Sequence, residues 1–175
     1  MALTLYQASI PVFIRGFTNL SAVLEKAKAH AAANNIDLAT YVNARLAPDM
    51  YPLSGQVQGA SDAAKFAAAR LASITAPSFA DTETTFDELQ ARITKTLDFL
   101  KTVSKEQINA RAGGQVTLKI RGKEMNFVCE PYLLNFALPN FFFHVTTAYD
   151  ILRSQGVPLG KMDYLAGART AELAA

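Results

Sequence analysis

The chain of 175 residues has one cysteine, two histidines and no tryptophan. A single thiol closes no internal disulfide, and three His and Cys donors in all fall short of an ordinary four-ligand zinc site. An excess of one charge is lacking too: 17 Lys+Arg stand against 15 Asp+Glu, for a net charge of +2. A surface so balanced has no basic stripe with which to neutralise phosphates, which argues against nucleic acid as a partner. Long apolar runs are also missing. The most apolar segment, Pro131 to Phe143, is interrupted by two prolines and two asparagines, whereas a membrane-spanning helix needs roughly 20 apolar residues. No basic segment precedes the first apolar residues, and Pro11 breaks them, which points away from a signal peptide. Together with the lone cysteine, these features imply a cytoplasmic protein with no membrane partner.

What is present is core-forming material. Half of the residues are apolar or aromatic and 18% are charged, enough for one domain over residues 1–175. Ile10, Phe13, Ile14, Phe17, Leu20, Leu24 and Ala27 recur at three- and four-residue steps, the period of a helix over about Thr4 to Ala33. Pro11 either kinks that helix or marks its start. Asn34-Asn35 closes it, and Asp37 caps a short helix over Leu38 to Arg45. Pro48 and Pro52 break the chain, with Asp49 placed to cap the second long helix. That helix, about Pro52 to Ser73, is rich in alanine, and its Gly55 and Gly59 suit a tight helix crossing. Thr85-Phe86-Asp87-Glu88 reads as a capping box that opens a third helix, which ends near Val103 or Ser104. Its Phe86, Leu89, Ile93, Leu97 and Leu100 share one face, with Asp87, Arg92, Lys95 and Lys101 elsewhere. The period then changes to two. Val116, Leu118 and Ile120, followed by Met125 and Phe127, predict a hairpin turning near Arg121 to Lys123. A fourth long helix runs from about Tyr132 to Gln155, and Gly156 and Pro158 end it. The tail from Gly160 to Ala175 reads as a docked loop with a frayed end. The expected fold is all-α: a four-helix bundle with a short extra helix and a small β-hairpin between helices three and four.

Within the fourth helix, Leu133, Ala137, Asn140, His144, Ala148 and Ile151 step by three or four, with Phe136, Phe143 and Val145 flanking them. A helix apolar nearly all round is central to its fold. His144 thus sits in the core or on the floor of a cleft. It is either a hydrogen-bonded core histidine, or a metal ligand or general base. His30, near the end of the first helix, suits a surface role against the helix dipole. Cys129, at the start of the last helix, is either a thiol activated by the helix terminus or a small buried hydrophobe. Lys119, Arg121 and Lys123 make a solvated basic patch that discourages edge pairing. Tyr149, Asp150 and Arg153 are candidates for polar contacts around the cleft.

Three motifs carry a family resemblance: Leu46-Ala47-Pro48-Asp49-Met50-Tyr51-Pro52-Leu53; Gln56-Val57-Gln58 with Asp62; and the run Asn140 to Arg153, extended by Gly156 to Lys161. They resemble the DinB/YfiT-like superfamily of four-helix-bundle metalloenzymes, and more closely an uncharacterised bacterial domain-of-unknown-function branch. The resemblance implies a divalent-metal site built from three histidines, one on the second long helix and two spaced four apart on the last. Here only His144 remains. Asn140 stands where its partner four residues earlier would be, and Gln56 is the candidate for the facing position, with Asp62 behind it. Carboxamides are weak ligands for zinc, nickel or iron, so the expected site is degenerate: empty, or weakly occupied by such an ion. Two functions compete. One is a small-molecule pocket lined by Gln56, Asn140 and His144. The other is a non-catalytic homodimer that buries its surplus aromatic surface between subunits.

Overall fold

The computed structural model describes residues 2–120 and 122–167. Arg121 of the basic patch and the last part of the tail lie outside the described residues. Helix α1 (Leu5–Asn34) opens on a capping box in which Thr4 and Gln7 exchange side-chain and backbone hydrogen bonds. It continues through Pro11, which is exposed, so Pro11 does not mark its start. Asn35 ends it in the left-handed conformation, φ 55°. The short α2 (Leu38–Asn43) is capped by Asp37, as its sequence predicts. Helix α3 (Leu53–Ala72) starts after Pro52 with no side-chain cap, so Asp49 does not serve as one. Helix α4 (Phe86–Thr102) opens on the Thr85–Glu88 capping box. A further turn, α5 (Lys105–Asn109), comes next, capped by Ser104. Strands β1 (Gln115–Ile120) and β2 (Lys123–Val128) pair antiparallel, Val116 opposite Phe127 and Leu118 opposite Met125. Val116 and Leu118 point into the core.

The last long helical segment differs from a regular helix. It begins as α6 (Cys129–Tyr132), widens into a π-helical turn over Leu133–Ala137, and continues as α7 (Leu138–Ser154). Pro139 cannot donate to the carbonyl four residues back, and the wider turn directly upstream takes up the mismatch. The tail also differs from its expected loop: α8 (Lys161–Ala166) is helical. It docks on α1 because the buried Asn19 donates to the Tyr164 and Leu165 carbonyls (3.0 and 2.9 Å) and Lys26 pairs with Asp163 at 2.7 Å. Among the described residues no helix is long and apolar enough to cross a membrane.

Helices α1, α3, α4 and α7 enclose one continuous core. At its centre the Phe141 ring meets Phe13 and Phe17 edge-on, with centroids 5.1 and 5.0 Å away. It lies on Gly16, where a Cβ would come within 2.5 Å of the ring. The last helical segment is central to the fold through one face, while Phe143 is 56% and Phe136 38% exposed.

Arg92 lies off the apolar face of α4 and is nevertheless buried, 1% exposed, with Lys65 beside it at 2%. Arg92 donates to Ser61 Oγ (2.8 Å), Asp62 Oδ1 (2.9 Å), the Ala80 carbonyl and Asp81 Oδ1 (both 3.0 Å), and Glu83 Oε1 (3.1 Å). Lys65 pairs with the same Asp62 oxygen at 2.8 Å, and the Phe79 ring packs against both cations. A guanidinium stays charged even when buried, so its donors need acceptors, and here the loop between α3 and α4 wraps around to supply them. Burial pushes the Glu83 carboxyl up, but hydrogen bonds from Gln58, its own backbone and Arg92 outweigh that and hold it below the usual range. Its contribution to stability is therefore present at neutral pH and is lost as acid protonates it. Substituting Arg92→Met strands these carboxylates, and we expect a loss of about 3 kcal/mol in urea unfolding, with Arg92→Lys recovering only part of it. An unchanged midpoint for Arg92→Met contradicts this assignment.

Candidate functional site

Helices α3 and α7 pack along a seam of small residues, Gly59, Ala60, Ala63, Ala64 and Ala67 on the α3 side. Gly59 lies under the imidazole of His144: a Cβ there would stand 2.6–2.8 Å from three ring atoms. The ring therefore enters the seam only because residue 59 has no side chain. About one turn nearer the N-terminus of α3, Gln56, which is buried, meets it: Gln56 Oε1 lies 2.8 Å from His144 Nδ1.

The direction of this bond is fixed. Gln56 Nε2 donates to the Tyr51 carbonyl at 3.1 Å, so Oε1 faces the ring as an acceptor and His144 Nδ1 must carry the proton. Burial lowers the His144 pKa below its usual 6.5, against an opposing pull from Asp62. The ring is thus neutral near pH 7, with Nδ1 protonated and an unshared pair on Nε2. Nε2 has no partner among the described residues.

His144 forms part of the wall of a cleft of about 210 Å³, with Asp62 and Asn140 near it and Phe66, Arg70, Tyr132 and Phe136 further along. Gln56 lies behind the ring, not in the cleft. Asn140 borders the cleft but makes no hydrogen bond to His144 among the described residues. Sequence periodicity missed Tyr132, Phe136, Phe66 and Arg70. The π-helical turn rotates the chain upstream of α7, so Tyr132 and Phe136, not Leu133, reach the cleft beside Asn140 and His144. The closely spaced Pro131 and Pro139 were the available sign of an irregular turn. Tyr149, Asp150 and Arg153 do not line this cleft: Tyr149 packs on Tyr164 at 5.9 Å. His30 accepts or donates a bond at 3.0 Å with Tyr41 Oη instead of standing free at the surface. Cys129 is buried, and that burial pushes its thiol pKa up, the opposite of an activated nucleophile.

The fold and these residues define a DinB-like helical-bundle protein. The chain belongs to the family described as Domain of unknown function (DUF1993), whose model matches residues 5–165. It is similar to a crystal structure of a DinB family member protein from Shewanella denitrificans, with 39% identity over 92% of this chain and 91% of that one and a TM-score of 0.85. No curated protein matches.

The donor set does not fit the divalent ion that the wider superfamily implies. Among the described residues no three His, Cys, Asp or Glu side chains converge. Gln56 spends its amide on His144 and Tyr51, and Asp62 Oδ1 is held by Lys65 and Arg92. What remains is one imidazole nitrogen, one carboxylate oxygen and one carboxamide, weak for zinc, nickel or iron. Substituting Asn140→His supplies a second imidazole one turn from the first, and calorimetric zinc affinity should rise at least about tenfold over the native chain. Equal affinities contradict the donor assignment.

The imidazole gives a pH prediction. A His whose pKa falls on folding is destabilised by acid, because the unfolded chain takes the proton first. The His144 ring resonance should titrate below 6.5, and stability should decline as pH drops through that value. Replacing His144 with Gln should flatten this decline in denaturation series at pH 7.5 and 5.5, about one unit either side. A titration midpoint above 6.5 overturns the buried, neutral ring.

Proposed function

We propose that the cleft between α3 and α7 binds a small neutral molecule, of about one ring in size, that donates a proton-bearing group to His144 Nε2. The unshared pair on Nε2, fixed by the Gln56–Tyr51 relay, carries this reading. The aromatic walls Phe66, Tyr132 and Phe136 suit a flat apolar body, and the Asn140 amide adds a second polar contact at the same end. His144 serves as polar anchor, and the same lone pair makes it competent as a general base. A divalent ion enters this reading only as a weak occupant.

A ligand pair differing in one proton tests it. Phenol should shift the His144 ring resonances saturably, and anisole, which lacks the O–H, should bind about tenfold more weakly. The difference should vanish in His144→Gln. Equal affinities for the two probes, or no saturable shift, sink the proposal.

The exposed rings favour a second reading. Phe143 is 56% and Phe136 38% exposed on the last helical segment, and Phe136 also lines the cleft. A homodimer that covers this aromatic edge would bury them. A monomer by light scattering at micromolar concentration removes that reading and leaves the first intact.

A further inference from the structure

A second cleft, of about 450 Å³, opens where the C-terminal end of α3 meets the base of the hairpin. Arg70 on α3 and Arg111, in the turn before β1, both line it, with Ser73, Thr75 and Gln115. Among the described residues no aspartate or glutamate does. Neither arginine has a carboxylate partner among the described residues. Arg70 donates to Tyr132 Oη at 3.1 Å and stacks on Phe66. Arg111 donates from one terminal nitrogen to the Gln115 carbonyl, and its Nε is buried without any partner.

A helix C-terminus attracts a cation, which explains Arg70 by itself. It does not explain a second arginine in the same cleft that also lacks a carboxylate, since two like charges brought together repel unless an anion offsets them. Two guanidiniums across an open polar cleft supply several fixed N–H groups, and the Ser73 and Thr75 hydroxyls, which have no partners among the described residues, add more. That arrangement matches a tetrahedral, doubly charged oxyanion better than a flat, singly charged one.

We propose that the cleft between Arg70 and Arg111 is a binding site for a phosphate group. It does not depend on the reading of the His144 cleft, although Arg70 borders both.

Calorimetric titration of the native chain with inorganic phosphate, against sodium chloride at matched ionic strength, tests the site. Phosphate should bind saturably, and acetate at least about tenfold more weakly. Arg111→Gln should weaken phosphate by about tenfold or more. Lys101→Gln, which removes an exposed cation that pairs with Asp98, should leave it unchanged, as should His144→Gln. No saturable phosphate binding, equal affinity for acetate, or no effect of Arg111→Gln overturns the proposal. So does loss of binding in His144→Gln, which would put the anion in the other cleft.

Discussion

An imidazole occupies the seam between α3 and α7 only because residue 59 has no Cβ. The missing side chain lets two helices close to contact distance and still leaves a ring-sized gap. Everything about the candidate site depends on that gap. It places Nδ1 against Gln56, and the Tyr51 carbonyl sets the direction of the Gln56 amide through Nε2. Because an amide is asymmetric, one backbone acceptor in the segment before α3 decides which imidazole nitrogen keeps its lone pair. A carboxylate in place of Gln56 would offer two equivalent acceptors and favour the imidazolium; the neutral amide does neither. The chain thus has a histidine whose tautomer is chosen and whose charge is suppressed by the same buried neighbourhood.

The buried cations complement this arrangement. Asp62 borders the cleft, and as a free carboxylate it would pull a proton onto His144. Instead its Oδ1 is held by Lys65 and Arg92, which spends much of its negative field on partners inside the protein. The opposing forces on His144 are then unequal, and burial outweighs the Asp62 attraction. Arg92 links α4 to Asp62 on α3 and to Asp81 and Glu83 on the connecting loop. The network therefore fixes the loop and the carboxylate together. Ion networks of this kind add little net stability over an apolar core, but they tolerate few alternative arrangements. That restriction suits a residue whose position sets the field at a neighbouring site.

How legible this was depends on the range of the interactions. The capping residues Thr85, Glu88 and Asp37 and the left-handed Asn35 are local, and each stands where its sequence neighbours place it. The hairpin was legible from its two-residue alternation. The pairing of Gln56 with His144 spans 88 residues and came from family resemblance, not from any local pattern. The burial of Arg92 was not legible, because a charged residue off the apolar stripe is ordinarily solvated and its burial depends on Asp62, Asp81 and Glu83 converging from elsewhere. The cleft wall was misread because helical periodicity assumes 3.6 residues per turn, and a single widened turn invalidates it for every residue upstream. Helix α8 was missed because its docking rests on Asn19, far away in sequence.

The two carboxamides nearest His144 take different roles. Gln56 turns inward, its amide satisfied by the ring and a backbone carbonyl, and supports His144 from behind. Asn140 stands at the cleft wall with its amide uncommitted among the described residues. A metal centre needs its ligands to converge on one point. This pair diverges, one amide behind the imidazole and one beside the open space in front of it. The geometry in the seam is that of a neutral imidazole supported from behind and bordering an aromatic-walled cleft, an arrangement suited to hydrogen bonding where a metal centre would need converging charged donors.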